Sequence, residues 1–137
     1  MIPSSHHGSW SGPNRLWFEG PEPERSDGRI AADATTINYT WSFRGAAQQG
    51  VIRLFGPDSA LRCEWTDTWH AKDGMALHGC SDENVVVFYG TYPAGDGPEW
   101  GWRIKLDFRD PEHLLLRMFN CEPGKSSVLA VDLRGER

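Results

Sequence analysis

Apolar and polar residues alternate one by one along two segments of the chain, 37–44 and 100–109. A period of two is typical of a half-buried β-strand, because successive side chains of a strand point to opposite faces of the sheet. We therefore predict a strand in each segment, with its apolar face turned toward the core. The inward positions are Ile37, Tyr39, Trp41, Phe43, Trp100, Trp102, Ile104, Leu106 and Phe108.

Apolar residues hardly ever recur at helical spacing, and turns rich in glycine, proline and aspartate separate further short apolar segments. Short turns, such as those at 56–59 and 122–125, join neighbouring strands antiparallel. The pattern predicts an all-β fold, an antiparallel up-and-down barrel of about 8 to 10 strands whose closure hides the sheet edges. The other predicted strands are 10–18, 30–35, 48–55, 61–68, 75–80, 85–92, 113–121 and 126–133.

The length of 137 residues is that of one domain. We therefore predict a single barrel over residues 1–137, with 1–8, which includes His6 and His7, as a flexible, solvated end. Segment 21–27 is polar and rich in proline, and we expect it to form an ordered excursion or lid beside the barrel.

Charge and cysteine content narrow the function classes. The formal net charge of −5 comes without a basic stripe, which argues against nucleic acid and anionic membranes as partners. No apolar run approaches the ~20 residues of a membrane-spanning helix. Three widely spaced cysteines and no N-terminal signal segment predict reduced thiols in a soluble, cytoplasmic protein. No motif predicts a metal site or a bound cofactor.

Three segments carry a family resemblance: Gly8-Ser9-Trp10-Ser11-Gly12, Trp65-Thr66-Asp67-Thr68-Trp69-His70 and Trp100-Gly101-Trp102-Arg103. Together they resemble the bacterial lipocalin-like domain-of-unknown-function family 1579, over nearly the whole chain. The resemblance implies a lipocalin-like (calycin-type) barrel with an internal pocket. It also implies that Trp10 and Trp17 close the base of the barrel, with Arg134 as a cation–π partner.

The middle motif holds the best candidates for chemistry. Asp67 shares its parity with Leu61, Cys63 and Trp65, so regular pleating sends this carboxylate into the barrel. A buried carboxylate needs partners. Asp67 is therefore either a structural anchor for loop backbone or a tryptophan N–H, or a general base or ligand anchor. His70 is either a rim histidine in a hairpin at 71–74 or, if a bulge turns it inward, a proton-transfer group that Asp67 orients.

Four of the seven tryptophans lie on predicted inward faces: Trp41, Trp65, Trp100 and Trp102. They either fill the core or, because together with Tyr39, Phe43 and Phe108 they exceed what a narrow barrel needs, form an aromatic-walled pocket. Two polar residues are candidates for binding a ligand carboxylate or carbonyl. Asn120 shares parity with the apolar side of its strand, and Arg53 shares parity with Val51 and Phe55, although the strand phase is ambiguous in both segments. The predicted ligand-binding residues are Tyr39, Trp41, Arg53, Trp65, Trp100, Trp102 and Asn120.

Three functions stay open at this point. The first is a barrel that binds a small, mostly apolar, aromatic or conjugated molecule. The second is a cofactor-independent enzyme, a cyclase, isomerase or lyase, with Asp67 and His70 as its acid–base pair. The third is a barrel without an accessible cavity that forms homodimers through outward-facing Val86, Phe88 and Leu115.

Overall fold

The computed structural model describes residues 1–137 as a closed antiparallel barrel of ten strands. Each strand pairs with the next along the chain, and β1 closes the barrel on β10, which confirms the predicted up-and-down architecture. No helix is long and apolar enough to cross a membrane. The strands are β1 (Gly8–Leu16), β2 (Glu24–Ala32), β3 (Thr36–Phe43), β4 (Ala46–Phe55), β5 (Leu61–Asp67), β6 (Ala71–Asp82), β7 (Val85–Tyr92), β8 (Trp100–Asp107), β9 (His113–Cys121) and β10 (Val128–Glu136).

The period of two sorts side chains between the inside and the outside of the barrel. In β5, every second residue from Leu61 to Asp67 is buried, and the residues between them are exposed. The inward faces of all ten strands form one hydrophobic core that also takes in Ile2. Each large apolar side chain that is fully buried there stabilises the fold by about 1.5–3 kcal/mol. The core sits in the barrel interior and positions the residues at its rim.

Strand boundaries agree with the prediction in β7 and β9 and differ elsewhere, notably in two places, at the start of β2 and at the turn before β6. Glu24 already begins β2, so most of the segment 21–27 pairs with β1 and is not a lid. The chain turns at residues 68–70, and Ala71 begins β6, so the hairpin predicted at 71–74 lies too late. Predicted strand ends shift because turn residues also occur at strand bulges and edges.

The outward face predicted for β7 is wrong. Val86 and Phe88 are buried in the core, while Val85 and Val87 are only half-buried and Tyr89 is exposed. Residues 85–88 are all apolar, so no alternation marks the strand phase. Val86 and Phe88 therefore cannot form the predicted dimer patch, and of its three residues only Leu115, which is half-buried, keeps the predicted outward position.

The end of the barrel where β1 begins is closed by the N-terminal segment. Ile2 and His6 are buried, so residues 1–8 are not the solvated end that the sequence predicted. The His6 ring stacks on Trp10 at 5.2 Å, and its Nε2 lies 2.9 Å from the carbonyl oxygen of Asp110. Arg137 covers the Trp10 ring at 4.1 Å. The cation–π partner of Trp10 is thus Arg137, and Arg134 is exposed.

The seam between β1 and β10 is interrupted. The two strands pair at Ser11 with Glu136, and pairing resumes only at Asn14 with Leu133. Between these pairs lie Gly12 and Pro13; a Cβ on Gly12 would stand 1.9 Å from the carbonyl oxygen of Arg134. Only glycine allows this approach of the two backbones.

Candidate functional site

The opposite end of the barrel, which we call the site end, carries the middle sequence motif. There β5 stops at Asp67, residues 68–70 form the turn, and β6 returns from Ala71. The register between β5 and β6 shifts after the pair of Trp65 with Met75, because β6 carries extra residues opposite Thr66. This bulge leaves the His70 side chain only 13% exposed, although His70 lies in the turn.

Asp67 ties this turn to the barrel interior. Its residue is 3% exposed, and its Oδ1 accepts hydrogen bonds from the backbone N–H of Trp69 at 2.7 Å and of His70 at 2.9 Å. Its Oδ2 accepts the hydroxyl of Tyr39 at 2.5 Å, and this hydroxyl in turn accepts the indole N–H of Trp65 at 2.9 Å. Both carboxylate oxygens are therefore engaged by the protein itself.

The electrostatics of this network keep Asp67 charged and Tyr39 neutral. Burial on its own would raise the pKa of Asp67, but the nearby His70 side chain and the Tyr39 hydrogen bond outweigh it and lower the pKa. Burial, followed by the negative charge of Asp67, raises the pKa of Tyr39 well above its ordinary value. Tyr39 therefore stays a hydrogen-bond donor to an ionised carboxylate.

Gly50 makes the Tyr39–Asp67 contact possible. It stands between the two in the sheet, paired with Tyr39 on one side and with Asp67 on the other. A Cβ at this position would meet the Tyr39 hydroxyl oxygen at 2.2 Å. The missing side chain leaves the space in which the tyrosine reaches across β4 to the carboxylate.

His70 sits among four indole rings, one of which belongs to its neighbour Trp69 at 6.5 Å. The ring centroid of His70 lies 5.2 Å from that of Trp102, 6.0 Å from Trp41 and 6.3 Å from Trp65. Its Nδ1 lies 3.4 Å from Asp67 Oδ1, within reach of an ion pair but without the alignment of a hydrogen bond. The other ring nitrogen, Nε2, makes no hydrogen bond to the protein and is not sealed in the core. His70 therefore offers one ring edge to incoming molecules.

Trp102 provides a second polar group without a partner. Its ring stacks on Trp65 at 5.4 Å with an interplanar angle of 9°. The residue is only 6% exposed, and its Nε1 is buried without a hydrogen-bond acceptor. Indole N–H groups usually find an acceptor when they are buried. The Trp102 N–H therefore lacks a hydrogen-bond acceptor within the protein.

A cavity of about 400 Å³ opens beside these groups, and we call it the head cavity. It lies at the rim of the site end, because the barrel interior below it is filled by the core. The cavity is therefore an open cleft and not the deep internal pocket that the sequence predicted. Its walls include Trp65, His70, Met75, Tyr92, Trp102 and Asn120.

The structure places the predicted ligand-binding residues in different surroundings. Asn120 borders the head cavity and accepts the Tyr92 hydroxyl at 2.6 Å. Trp41 lies against His70 behind the cavity, and the Tyr39 hydroxyl is occupied by Asp67. Arg53 is exposed on the outer wall between the buried residues Ile52 and Leu54 of β4, so its predicted inward phase is wrong.

A second pocket of about 430 Å³ lies at the same end, between the chain after β1 and the chain around the start of β10. Trp100, at the first position of β8, is half-buried on its wall and does not border the head cavity. Trp17 also lies here, at the end of the barrel away from Trp10, so the two do not close one base together. We call this pocket the tail groove; it is bordered by Trp17, Phe18, Trp100, Asn120, Val128 and Leu129.

Six residues that line the head cavity were not predicted as site residues: Ala71, Lys72, Asp73, Gly74, Met75 and Tyr92. Met75 pairs with Trp65 across β5 and β6, and Tyr92, the last residue of β7, pairs with Trp100, so both lie beside predicted site residues. Cross-strand neighbours depend on register, which a single strand does not reveal. No group of three or more His, Cys, Asp or Glu side chains is placed to hold a metal ion.

Comparisons with known protein families and with curated proteins found no relative of the chain. No model of a known protein family matches the chain, and no curated protein is significantly similar to it.

Proposed function

We propose that the barrel binds a small, planar, aromatic or conjugated molecule in the head cavity, and that the ligand carries an acceptor oxygen. The observation that carries this proposal is the Trp102 N–H, which is buried without an acceptor beside that cavity. A buried donor without an acceptor costs about 1–3 kcal/mol, and a ligand oxygen would recover much of this. The motif that builds the turn also supports membership of the lipocalin-like family 1579.

The shape of the cleft favours a flat ligand. Trp65 and Trp102, whose rings stack close to parallel and are almost fully buried, form the aromatic part of the cleft lining. The volume of about 400 Å³ falls in the range of small-molecule sites, which are mostly apolar with a few fixed polar groups. His70 and the Tyr92–Asn120 pair provide those groups together with Trp102.

The charges around the cleft favour a neutral acceptor. Lys72 and Asp73 stand on its edge with opposite charges, and the ionised Asp67 lies behind His70. A ligand carboxylate would approach that buried negative charge without an arginine to compensate. A carbonyl oxygen accepts the same hydrogen bonds without this repulsion, so we assign the ligand a carbonyl group.

Native mass spectrometry of gently purified protein tests the proposal directly, because a retained ligand adds its mass to the folded protein. Titration with a fluorescent dimethylaminonaphthalene ketone that carries an acetyl group tests the chemistry. This probe is flat, conjugated and neutral, and it has one carbonyl. We expect saturable binding with a shift of the probe emission to shorter wavelength.

The variant Trp102→Phe keeps a stacked ring and removes the N–H. We expect it to bind the acetyl ketone about 2- to 12-fold more weakly, which corresponds to one neutral hydrogen bond. The matched control is Trp10→Phe, since the Trp10 N–H donates to the His6 carbonyl at the opposite end of the barrel. Equal affinity of wild type and Trp102→Phe would contradict the assigned acceptor, and no binding at all would contradict the proposal.

A second candidate function, proton transfer next to the ligand carbonyl, is favoured by the Asp67–His70 arrangement. Asp67 is bound by protein donors and sealed from the cavity, so it acts only by orienting His70. The free Nε2 of His70 would remove a proton from the carbon beside the carbonyl, and the Trp102 N–H would stabilise the enolate oxygen. The proton then returns to another carbon of the conjugated system or to the opposite face of the same carbon, and the result is an isomerisation that needs no cofactor.

Hydrogen–deuterium exchange of the acetyl group tests this candidate. In D₂O, we expect the wild-type protein to speed deuterium uptake into the bound ketone beyond the rate with free imidazole, as measured by mass spectrometry. His70→Gln should lose the acceleration and still bind the probe, because glutamine keeps a polar group at the cavity wall. Exchange at the imidazole rate in the wild type would leave binding as the only function.

A further inference from the structure

We propose that the ligand is elongated and that an uncharged apolar chain extends from its planar head into the tail groove. This inference rests on the proposed function of the head cavity. It adds a second subsite and therefore a ligand class: a flat conjugated ketone, ester or amide with an alkyl or isoprenoid side chain.

Exposed apolar side chains mark the tail groove. Phe18 is 52% exposed and Val128 is 64% exposed, and both border it. Only five large hydrophobic residues of the chain are exposed, and two of these five share this concave surface. Trp17, Trp100 and Leu129 are half-buried beside them. Clustered exposed apolar surface in a groove is typical of a binding site.

The tail groove and the head cavity meet at Asn120, which borders both. Asn120 pairs with Trp102 of the head cavity across the β8–β9 ladder, and Tyr92 of the head cavity pairs with Trp100 of the tail groove. One molecule can therefore touch both subsites without crossing the barrel wall. The Tyr92–Asn120 hydrogen bond of 2.6 Å marks the border between them.

The charges of the tail groove favour an uncharged chain. Lys125 is the only cation on its border, and its Nζ lies 2.5 Å from Glu122 Oε2. Glu19 borders the groove as well, so the local balance is negative. The charged end of a fatty acid would find no free cation here, whereas a hydrocarbon chain would cover the exposed side chains.

A homologous series of the dimethylaminonaphthalene ketones tests the tail groove. The acyl group is lengthened from acetyl through propionyl to hexanoyl while the head stays constant. For the wild type, we expect affinity to rise about fourfold for each added methylene group, the value for a methylene moved from water to an apolar site. Fluorescence titration gives the Kd of each member.

The variants Phe18→Asp and Val128→Asp place a charge on the groove. We expect each to reduce the ratio of hexanoyl to acetyl affinity by at least about tenfold, since the chain would lie against a carboxylate. Phe55→Asp is the matched control, because Phe55 is an exposed hydrophobic residue of β4 outside both subsites. It should leave the ratio at the wild-type value.

The outcomes separate the two proposals. If the acetyl ketone binds but longer chains bind no better, the head cavity stands and the tail groove is refuted. If affinity rises with length but Phe18→Asp and Val128→Asp leave the ratio unchanged, the chain lies elsewhere, and the tail groove is again refuted. If no member of the series binds, the proposal of a ligand in the head cavity and the proposal of a chain in the tail groove are both refuted.

Discussion

Replacing Asp67 with alanine is expected to lower the free energy of unfolding by about 3–5 kcal/mol. The substitution leaves three buried or half-buried donors without their acceptor: the Tyr39 hydroxyl and the backbone N–H groups of Trp69 and His70. Each such donor costs about 1–3 kcal/mol, and water that enters the turn reduces the sum. Urea denaturation followed by tryptophan fluorescence measures the change.

Asp33→Ala is the control for this experiment. Asp33 Oδ1 also accepts two backbone N–H groups, those of Thr35 and Thr36, but in an exposed turn where water replaces the lost acceptor. We expect a much smaller loss of stability for this variant. Equal losses for the two variants would contradict the view that burial makes the Asp67 network costly to break.

The same carboxylate gives a pH dependence with a defined sign. Folding lowers the pKa of Asp67, so its charge stabilises the fold above the ordinary value of 3.8 and loses this effect as the pH falls through the lower folded value. Folding also lowers the pKa of Asp107, so the pH dependence of the wild type alone does not isolate Asp67. The difference in stability between the wild type and the Asp67 variant does. The stability advantage of wild type over Asp67→Asn should therefore stay constant near neutral pH and shrink below the ordinary value.

Replacing Trp65 with alanine is expected to cost about 3–5 kcal/mol as well, the usual range when a large buried aromatic side chain is removed. Trp65 is one of the largest fully buried side chains, it stacks on Trp102, and it donates to Tyr39. Its loss opens a void directly below the head cavity. Thermal and urea unfolding measure the loss of stability.

The companion variant Trp65→Phe separates packing from hydrogen bonding. Phenylalanine keeps an aromatic ring against Trp102 and removes the N–H that the Tyr39 hydroxyl accepts, together with a smaller part of the ring volume than alanine does. We expect a cost of about 1–2 kcal/mol. A phenylalanine variant as unstable as the alanine variant would show that the hydrogen bond, and not the volume, dominates at this position.

The fold could be predicted from the sequence because alternation is a local signal. In β3, β5 and β8 the apolar residues keep one parity, and short turns leave few ways to join the strands. The predicted strand phase was wrong where apolar and polar residues do not alternate. Residues 85–88 are all apolar, and around Arg53 apolar residues occur at both parities. The inward position of Asp67 followed from parity alone.

The rest of the site depends on contacts between distant parts of the chain. The bulge beside His70 arises from the extra residues of β6 opposite Thr66, and the gap that admits Tyr39 arises from Gly50 on β4. The closure of the other end by Ile2 and His6 involves residues more than a hundred positions away, such as Asp110. None of these arrangements has a local sequence signal, since register and packing decide them.

The interrupted seam between β1 and β10 also bears on how the barrel forms. Every other pair of neighbouring strands is a hairpin or a short connection, whereas this seam joins the two ends of the chain. Closing it carries the largest loop entropy, and Pro13 has no N–H to add to its ladder. The meander of hairpins can therefore assemble first and the seam last. We expect the interrupted seam to open at a lower cost than the hairpin ladders of the native state, so its amide hydrogens should exchange before those of β7 and β8.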